Sequence, residues 1–185
     1  MTPQDQAALD QLLLARSVKR GHFVLASGRT SPFYVDCRLT TMSAEGLVLI
    51  GRLGLDALRA RGWAPQGIGG LTMGADPVAY AIAAASVAQP PIIDAFSVRK
   101  EAKGHGTGRR IEGNFASGHA VVVVEDVITT GGSALKAIEA LKEEGARVLG
   151  VLAVVDREEG GRATLEAAGF DVVALTTATK LGLKA

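Results

Sequence analysis

Cysteine is almost missing from this chain. Its 185 residues include one, Cys37, which excludes an intrachain disulfide and any cysteine-based metal cluster. The plain reading of Cys37 is a small, half-buried residue in a reducing compartment. Aromatic residues make up only 4% of the chain, too few for an aromatic-rich sandwich core. Excess charge of either sign is also missing. Lys+Arg number 20 against 19 Asp+Glu, a net charge of +1, so duplex nucleic acid is not implied as a partner. No apolar run approaches the roughly 20 residues that span a bilayer. The longest helix-like one, Val78 to Ala88, is mostly alanine. The stretch from Met1 to Asp10 lacks the basic start of a signal peptide. The expectation is a cytoplasmic protein with neither a membrane nor a nucleic-acid partner.

What is present is aliphatic residue and glycine. Hydrophobic residues reach 48%, mostly Ala, Val and Leu, and glycines number 23. A chain of this length buries roughly 70% of its extended surface on folding, enough for one core. Residues 1–185 are therefore expected to form a single domain. Helical spacing marks Asp5–Arg16, Ser43–Arg61, Asp76–Ala88 and Ser133–Glu144, with a shorter helix at Arg162–Ala168. Strands are expected at Gly67–Gly70, Pro91–Val98, His119–Val124, Arg147–Val155 and Phe170–Leu175. Two short strands around a turn, Phe23–Leu25 and Phe33–Val35, precede this alternation. The fold class is thus α/β, a central mostly parallel sheet flanked by helices, with a small N-terminal hood contributed mainly by residues 1–40. Ligands of such sheets lie beyond the carboxyl ends of the strands.

Two segments carry chemistry. The unbroken Val121–Val124 run leads into Glu125, Asp126, Val127, Ile128, Thr129, Thr130, Gly131, Gly132 and Ser133, where a helix begins. Backbone N–H groups of Thr129 to Ser133 can curl around an anion at the positive end of that helix. Gly131 and Gly132 would permit positive φ and close approach. Glu125 and Asp126 would repel a phosphate, so they suit what is attached to it: sugar hydroxyls or a magnesium ion. A phosphorylated sugar satisfies both halves. Neither a Walker loop nor G-x-G-x-x-G is present. The second segment, Arg99 to Arg110, holds five fixed cations, His105 and the glycines Gly104, Gly106 and Gly108. Without apolar periodicity it is expected to be a mobile cationic flap that can close over a pyrophosphate.

The run Val121 to Ala134 resembles the signature of the type I phosphoribosyltransferases for 5-phospho-α-D-ribosyl 1-diphosphate (PRPP). The flap, read at Arg99, Lys100, Lys103 and His105, is similar to that of the orotate phosphoribosyltransferases. So are the hood stretch Phe23–Tyr34 and the segment Val155–Gly161, whose Arg157 lies near the end of a core strand. The resemblance implies transfer of the phosphoribosyl group from PRPP to N1 of orotate, giving orotidine 5′-monophosphate and pyrophosphate. It implies that Glu125 and Asp126 hold the ribose hydroxyls and Thr129 to Ser133 the 5-phosphate, within a PRPP-binding run from Glu125 through Val127 and Ile128 to Ser133. Arg99, Lys100, Lys103 and His105 would bind the diphosphate. Lys103 and His105 would stabilise the leaving group, with Asp126 the candidate for any acid–base step. Thr129 and Arg157 would meet orotate. Mg²⁺ would arrive mainly through PRPP rather than on direct protein ligands, and a homodimer would share active sites across its twofold axis. The peptide Leu71–Thr72, in the pyrophosphate loop, is expected to be strained or cis.

The chain departs from the pattern at Ala26 and Met73, where relatives often carry lysine, which shifts weight onto the flap. Two other readings share the signature. A purine-type transferase would need neither Arg157 nor this hood. A PRPP-sensing transcriptional regulator would need a basic DNA-binding module, for which the first 22 residues are too short and not basic enough.

Overall fold

A computed structural model of the chain describes residues 2–24, 30–101 and 110–184. Helix α1 (Pro3–Arg16) is capped by the Thr2 hydroxyl, which accepts from Asp5 N–H, and it buries Leu9 and Leu13. Strands β1 (Val18–Val24) and β2 (Thr30–Val35) pair antiparallel as a separate two-stranded sheet. This is the hood. A short helix α2 (Arg38–Thr41), which sequence periodicity did not indicate, leads to α3 (Ala44–Ala60). Ser43 caps α3 through Gly46 N–H, as its position suggested.

The main sheet then forms from β3 (Gly67–Leu71), β4 (Asp94–Val98), β5 (Ile111–Gly113), β6 (Ala120–Ile128), β7 (Arg147–Asp156) and β8 (Val172–Thr177). The spatial order is β5-β4-β3-β6-β7-β8. All neighbours are parallel except the β4–β5 pair, whose ladder joins Val98 to Ile111. Strand β5 was not legible in sequence because three residues are too short to show a period. Strand β4 starts at Asp94 rather than Pro91: Pro90 and Pro91 lack the N–H a ladder needs, and the bond between them is cis.

Helices α3 and α4 (Ala75–Ala88) cover one face of the sheet; α5 (Gly132–Glu143) and α6 (Gly161–Ala167) cover the other. The valine run explains the two layers. Val122 and Val124 pack with Ile50, Leu53 and Ile82, while Val121 and Val123 pack with Ile138, Leu141 and Leu165. Each of the four is completely buried, worth about 1.5–3 kcal/mol before conformational entropy is charged. Successive connections run from β3 to β4 on one side and from β6 to β7 on the other. Chain direction across the sheet therefore reverses between β3 and β6, and a crevice opens at their carboxyl ends.

Candidate active site

Strand β6 is longer than its apolar run suggests. It continues through Glu125 and Asp126 to Ile128, pairing Glu125 with Ala153 and Ile128 with Asp156 of β7. The two acids therefore stand on a rigid ladder rather than in a loop. Alternation sends them to opposite sides. Glu125 is only 6% exposed and lines a small cavity, about 40 Å³, together with Val127 to Ala134. Its Oε1 has no hydrogen-bond partner among the described residues. Burial, with the Asp126 charge second, pushes its carboxyl up to about 8. Burial also raises Asp126, opposed by the N–H of Val127, which donates to its Oδ1 at 2.9 Å.

Thr129 to Gly131 turn the chain from β6 into α5. Gly131 has φ 83° and occupies the N-cap of α5; its carbonyl accepts from Leu135 N–H. Gly132 starts the helix and has no positive φ, so the special backbone conformation rests on Gly131 alone. Thr129 is half-buried, and Thr130, Gly132 and Ser133 are exposed, their groups available around the cavity. The arrangement is an anion cradle at a twelve-residue helix's positive end, with a buried carboxyl behind it.

Two glycines outside this run bring other loops to it. A Cβ on Gly74, in the loop after β3, would lie 2.5 Å from Asp126 Oδ1. A Cβ on Gly161 would lie 2.5 Å from the Thr129 carbonyl oxygen and 2.8 Å from Gly131 N. Sequence reasoning noted both glycines inside longer motifs but missed these approaches, because only the fold sets β3, β6 and β7 side by side. The peptide Leu71–Thr72 is not the cis one. Thr72 N–H donates to Val98 O at 2.9 Å and continues the ladder; the cis bond is Thr72–Met73, one residue later.

Arg157 follows β7 directly. Its N–H donates to the Ile128 carbonyl at 3.0 Å, which fixes it beside the cradle. Its side chain is 4% exposed. One terminal nitrogen, Nη2, donates to Glu159 Oε1 at 2.7 Å and to Ser31 Oγ at 3.4 Å; the guanidinium lies 4.9 Å from the Phe33 ring. Its Nε has no hydrogen-bond partner among the described residues. Glu159, not Glu158 or Asp156, is thus its acidic neighbour: Asp156 binds Arg162, and Glu158 binds Thr179. The hood supplies Ser31 and Phe33, so it packs onto this arginine.

Arg99 and Lys100 lie just after β4. Arg99 Nε pairs with Glu112 of β5 at 3.0 Å. Lys100 is exposed. Lys103 and His105 lie outside the described residues, as does Ala26. Of the other histidines, His22 is exposed on β1, and His119 packs edge-on against Phe115. Cys37 is fully buried, and burial raises its thiol well above its ordinary value.

The buried Glu125 makes stability depend on pH. An acid whose folded value is raised binds a proton more tightly in the folded state. Its contribution is therefore favourable in acid and is lost as pH climbs from about 4.5 toward about 8. The loss is at most on the order of 5 kcal/mol. We expect the melting temperature of the free protein to fall across that window, and the Glu125→Gln variant to flatten the slope and melt higher at pH 8. Equal slopes for variant and parent in thermal scans would show that Glu125 is ionised when unliganded.

Among the described residues, no three His, Cys, Asp or Glu side chains converge on a metal-sized point. No helix is long and apolar enough to cross a membrane.

Residues 50–168 match the model of the phosphoribosyl transferase domain. The chain is 42% identical over 185 residues to the orotate phosphoribosyltransferase of Rhodopirellula baltica, covering 98% of this chain and 96% of that one. It is 46% identical over 180 residues to that of Aquifex aeolicus, covering 96% and 97%. Among solved structures it resembles the Mycobacterium tuberculosis orotate phosphoribosyltransferase in complex with PRPP. The TM-score there is 0.82 at 41% identity, covering 97% of this chain and 99% of that one.

Proposed function

We propose how the residues divide the work in a chain that belongs to the phosphoribosyl transferase family and is an orotate phosphoribosyltransferase. The enzyme transfers the phosphoribosyl group of PRPP to N1 of orotate in pyrimidine biosynthesis, releasing pyrophosphate. The N1–C1′ bond forms as the bond from C1′ to the diphosphate oxygen breaks. Positive charge builds on the ribose and negative charge on the leaving group, so the protein's part is placement and charge compensation.

The observation that carries the assignment is the Glu125 carboxyl, buried, with an oxygen that has no partner among the described residues, beside an anion cradle. Ribose hydroxyls are donors of the kind that oxygen lacks. Glu125 and Asp126 hold the ribose, and Asp126 is the group placed for any proton step. The 5-phosphate sits against Thr129, Thr130, Gly131, Gly132 and Ser133, with Val127 and Ile128 forming the strand end beneath. Orotate lies between Thr129 and Arg157, whose fixed positive charge faces its carboxylate. Arg99, Lys100, Lys103 and His105 cover the diphosphate, the last two stabilising it as it leaves.

A magnesium ion fits this site as a passenger of PRPP, because Glu125 and Asp126 are the carboxylates at the cradle among the described residues and the diphosphate supplies further oxygens. When bound, it neutralises charge on the diphosphate. We read residues 1–185 as one domain, with the hood mainly from residues 1–40. Cytoplasmic placement is supported by the buried, unpaired thiol of Cys37.

A homodimer with shared sites is supported by an apolar groove of about 380 Å³ between α3 and α4, bordered by the half-exposed Val48 and Tyr80. Mixing two inactive variants, Lys103→Ala and Asp126→Asn, tests the flap, the ribose acid and the dimer together. If flaps reach across, a mixed dimer holds one intact site, and random exchange restores activity in about a quarter of all sites. Activity that stays at the level of the separate variants, with exchange confirmed by differently tagged chains, would show that each subunit works alone.

A further inference from the structure

Glu158, the residue after Arg157, has φ 56°, the one positive φ among described non-glycine residues. For a side chain with a Cβ this region is sparsely occupied, and it persists only where surrounding contacts over-determine it. Those contacts are present and converge on Glu158. Its carboxylate Oε2 accepts from both the N–H and the hydroxyl of Thr179, each at 2.7 Å. Its carbonyl accepts from Lys184 Nζ at 2.7 Å, and its N–H donates to Asp156 Oδ1 at 2.8 Å. Asp156, at the other side of Arg157, is buried, takes Arg162 Nε at 3.0 Å and accepts Ala178 N–H on its carbonyl at 2.9 Å.

Arg157 is therefore bracketed. Both neighbours in sequence are tied to the turn that follows β8, and that turn is itself anchored by buried Leu181 and Leu183. The Glu158 side chain itself is taken up by Thr179 on an exposed turn. What the left-handed backbone does is reverse the chain between Arg157 and Glu159, so that the two side chains meet at 2.7 Å. A guanidinium whose Nε has no partner among the described residues is thereby held at the crevice.

We propose that Glu158 and Thr179 form a clamp that positions Arg157 for the orotate carboxylate, making both specificity-determining residues remote from the substrate. The clamp rests on the assignment of Arg157 to orotate made above. The Thr179 hydroxyl, the largest influence, holds the Glu158 carboxyl below the usual range, so the clamp stays charged at neutral pH.

Steady-state kinetics for both substrates test it on four variants alongside thermal unfolding. Glu158→Gly keeps the positive φ and removes the carboxylate. Thr179→Val removes the hydroxyl at constant shape, and Thr179→Ser retains it. Arg157→Ala is the reference for loss of the arginine itself. We expect Glu158→Gly and Thr179→Val to raise KM for orotate about tenfold, the scale of losing a hydrogen bond to a charged group. KM for PRPP should stay within about twofold, and Thr179→Ser should behave as the parent. Clamp variants that are silent while Arg157→Ala is selective for orotate overturn the clamp alone. Clamp variants that shift both KM values equally, or only lower the melting temperature, show a merely structural tie and also overturn it. An Arg157→Ala that costs both substrates equally overturns the orotate assignment and the clamp with it.

Discussion

Arg157→Ala should raise KM for orotate about a hundredfold and leave binding of PRPP nearly unchanged. The size follows from the environment. Truncating one partner of a buried charge-assisted pair costs about 2–5 kcal/mol, and a hundredfold is about 2.7 kcal/mol. Arg157 is 4% exposed, so water cannot replace the lost donors. The deletion also leaves the Glu159 carboxylate, 13% exposed, without the guanidinium that faces it at 2.7 Å. The Ser31 and Phe33 contacts are lost as well, so the hood loosens over the same spot. Arg157→Lys should recover part of the affinity, since it returns the charge but not the planar fork. Calorimetric titration with each substrate separates the possibilities. Equal losses for orotate and PRPP would show that Arg157 only holds the β7 turn in place.

The local geometry of the cradle was legible because its parts are contiguous in sequence. The anion cradle is one continuous run after one buried strand, and the hydroxyl and glycine types there state their chemistry without help from the rest of the chain. The valine run announced β6, and capping at Ser43 announced α3. The errors came where a residue's role is set by a distant neighbour. Glu125 and Asp126 were read as loop residues because charge ends an apolar pattern, yet the β7 ladder carries the strand past them. Gly132 was credited with a positive φ that only Gly131 needs, since two adjacent glycines look alike in sequence. The cis peptide was placed one residue early, because nothing local says that Thr72 N–H still belongs to the ladder with Val98.

Arg157 shows both sides of that divide. Its place near the end of a core strand was legible, but its ion-pair partner was not. Three acids, Asp156, Glu158 and Glu159, compete in sequence for that pair. The backbone decides among them, because Glu158 in the left-handed region sends its own side chain to Thr179 and brings Glu159 to the guanidinium. Such a choice depends on φ at one residue, for which composition and periodicity carry no signal.

Gly161→Ala should abolish useful PRPP affinity while Gly132→Ala at the cradle itself is tolerated. Gly161 opens α6, and its N–H donates to the Thr129 carbonyl at 2.9 Å. A methyl group there would sit 2.5 Å from that carbonyl oxygen, 2.5 Å from Ile128 Cγ2 and 2.8 Å from Gly131 N. Two of those three atoms are backbone of the anion cradle, and none is the free end of a flexible chain. Relief requires the cradle to move or α6 to back away, and the second route breaks the Thr129 hydrogen bond. Overpacking of this kind costs about 1–3 kcal/mol of stability. A displacement of around 1 Å in a positioning group costs about a hundredfold in function. A methyl on Gly132 would meet only Thr130 Oγ1, at 3.8 Å, an ordinary contact. The pair therefore separates geometry from glycine content: the residue outside the phosphate run should matter more than one inside it. PRPP dissociation constants, with unfolding curves to confirm that both variants fold, decide the matter. Normal PRPP affinity in folded Gly161→Ala would show that α6 does not shape the cradle.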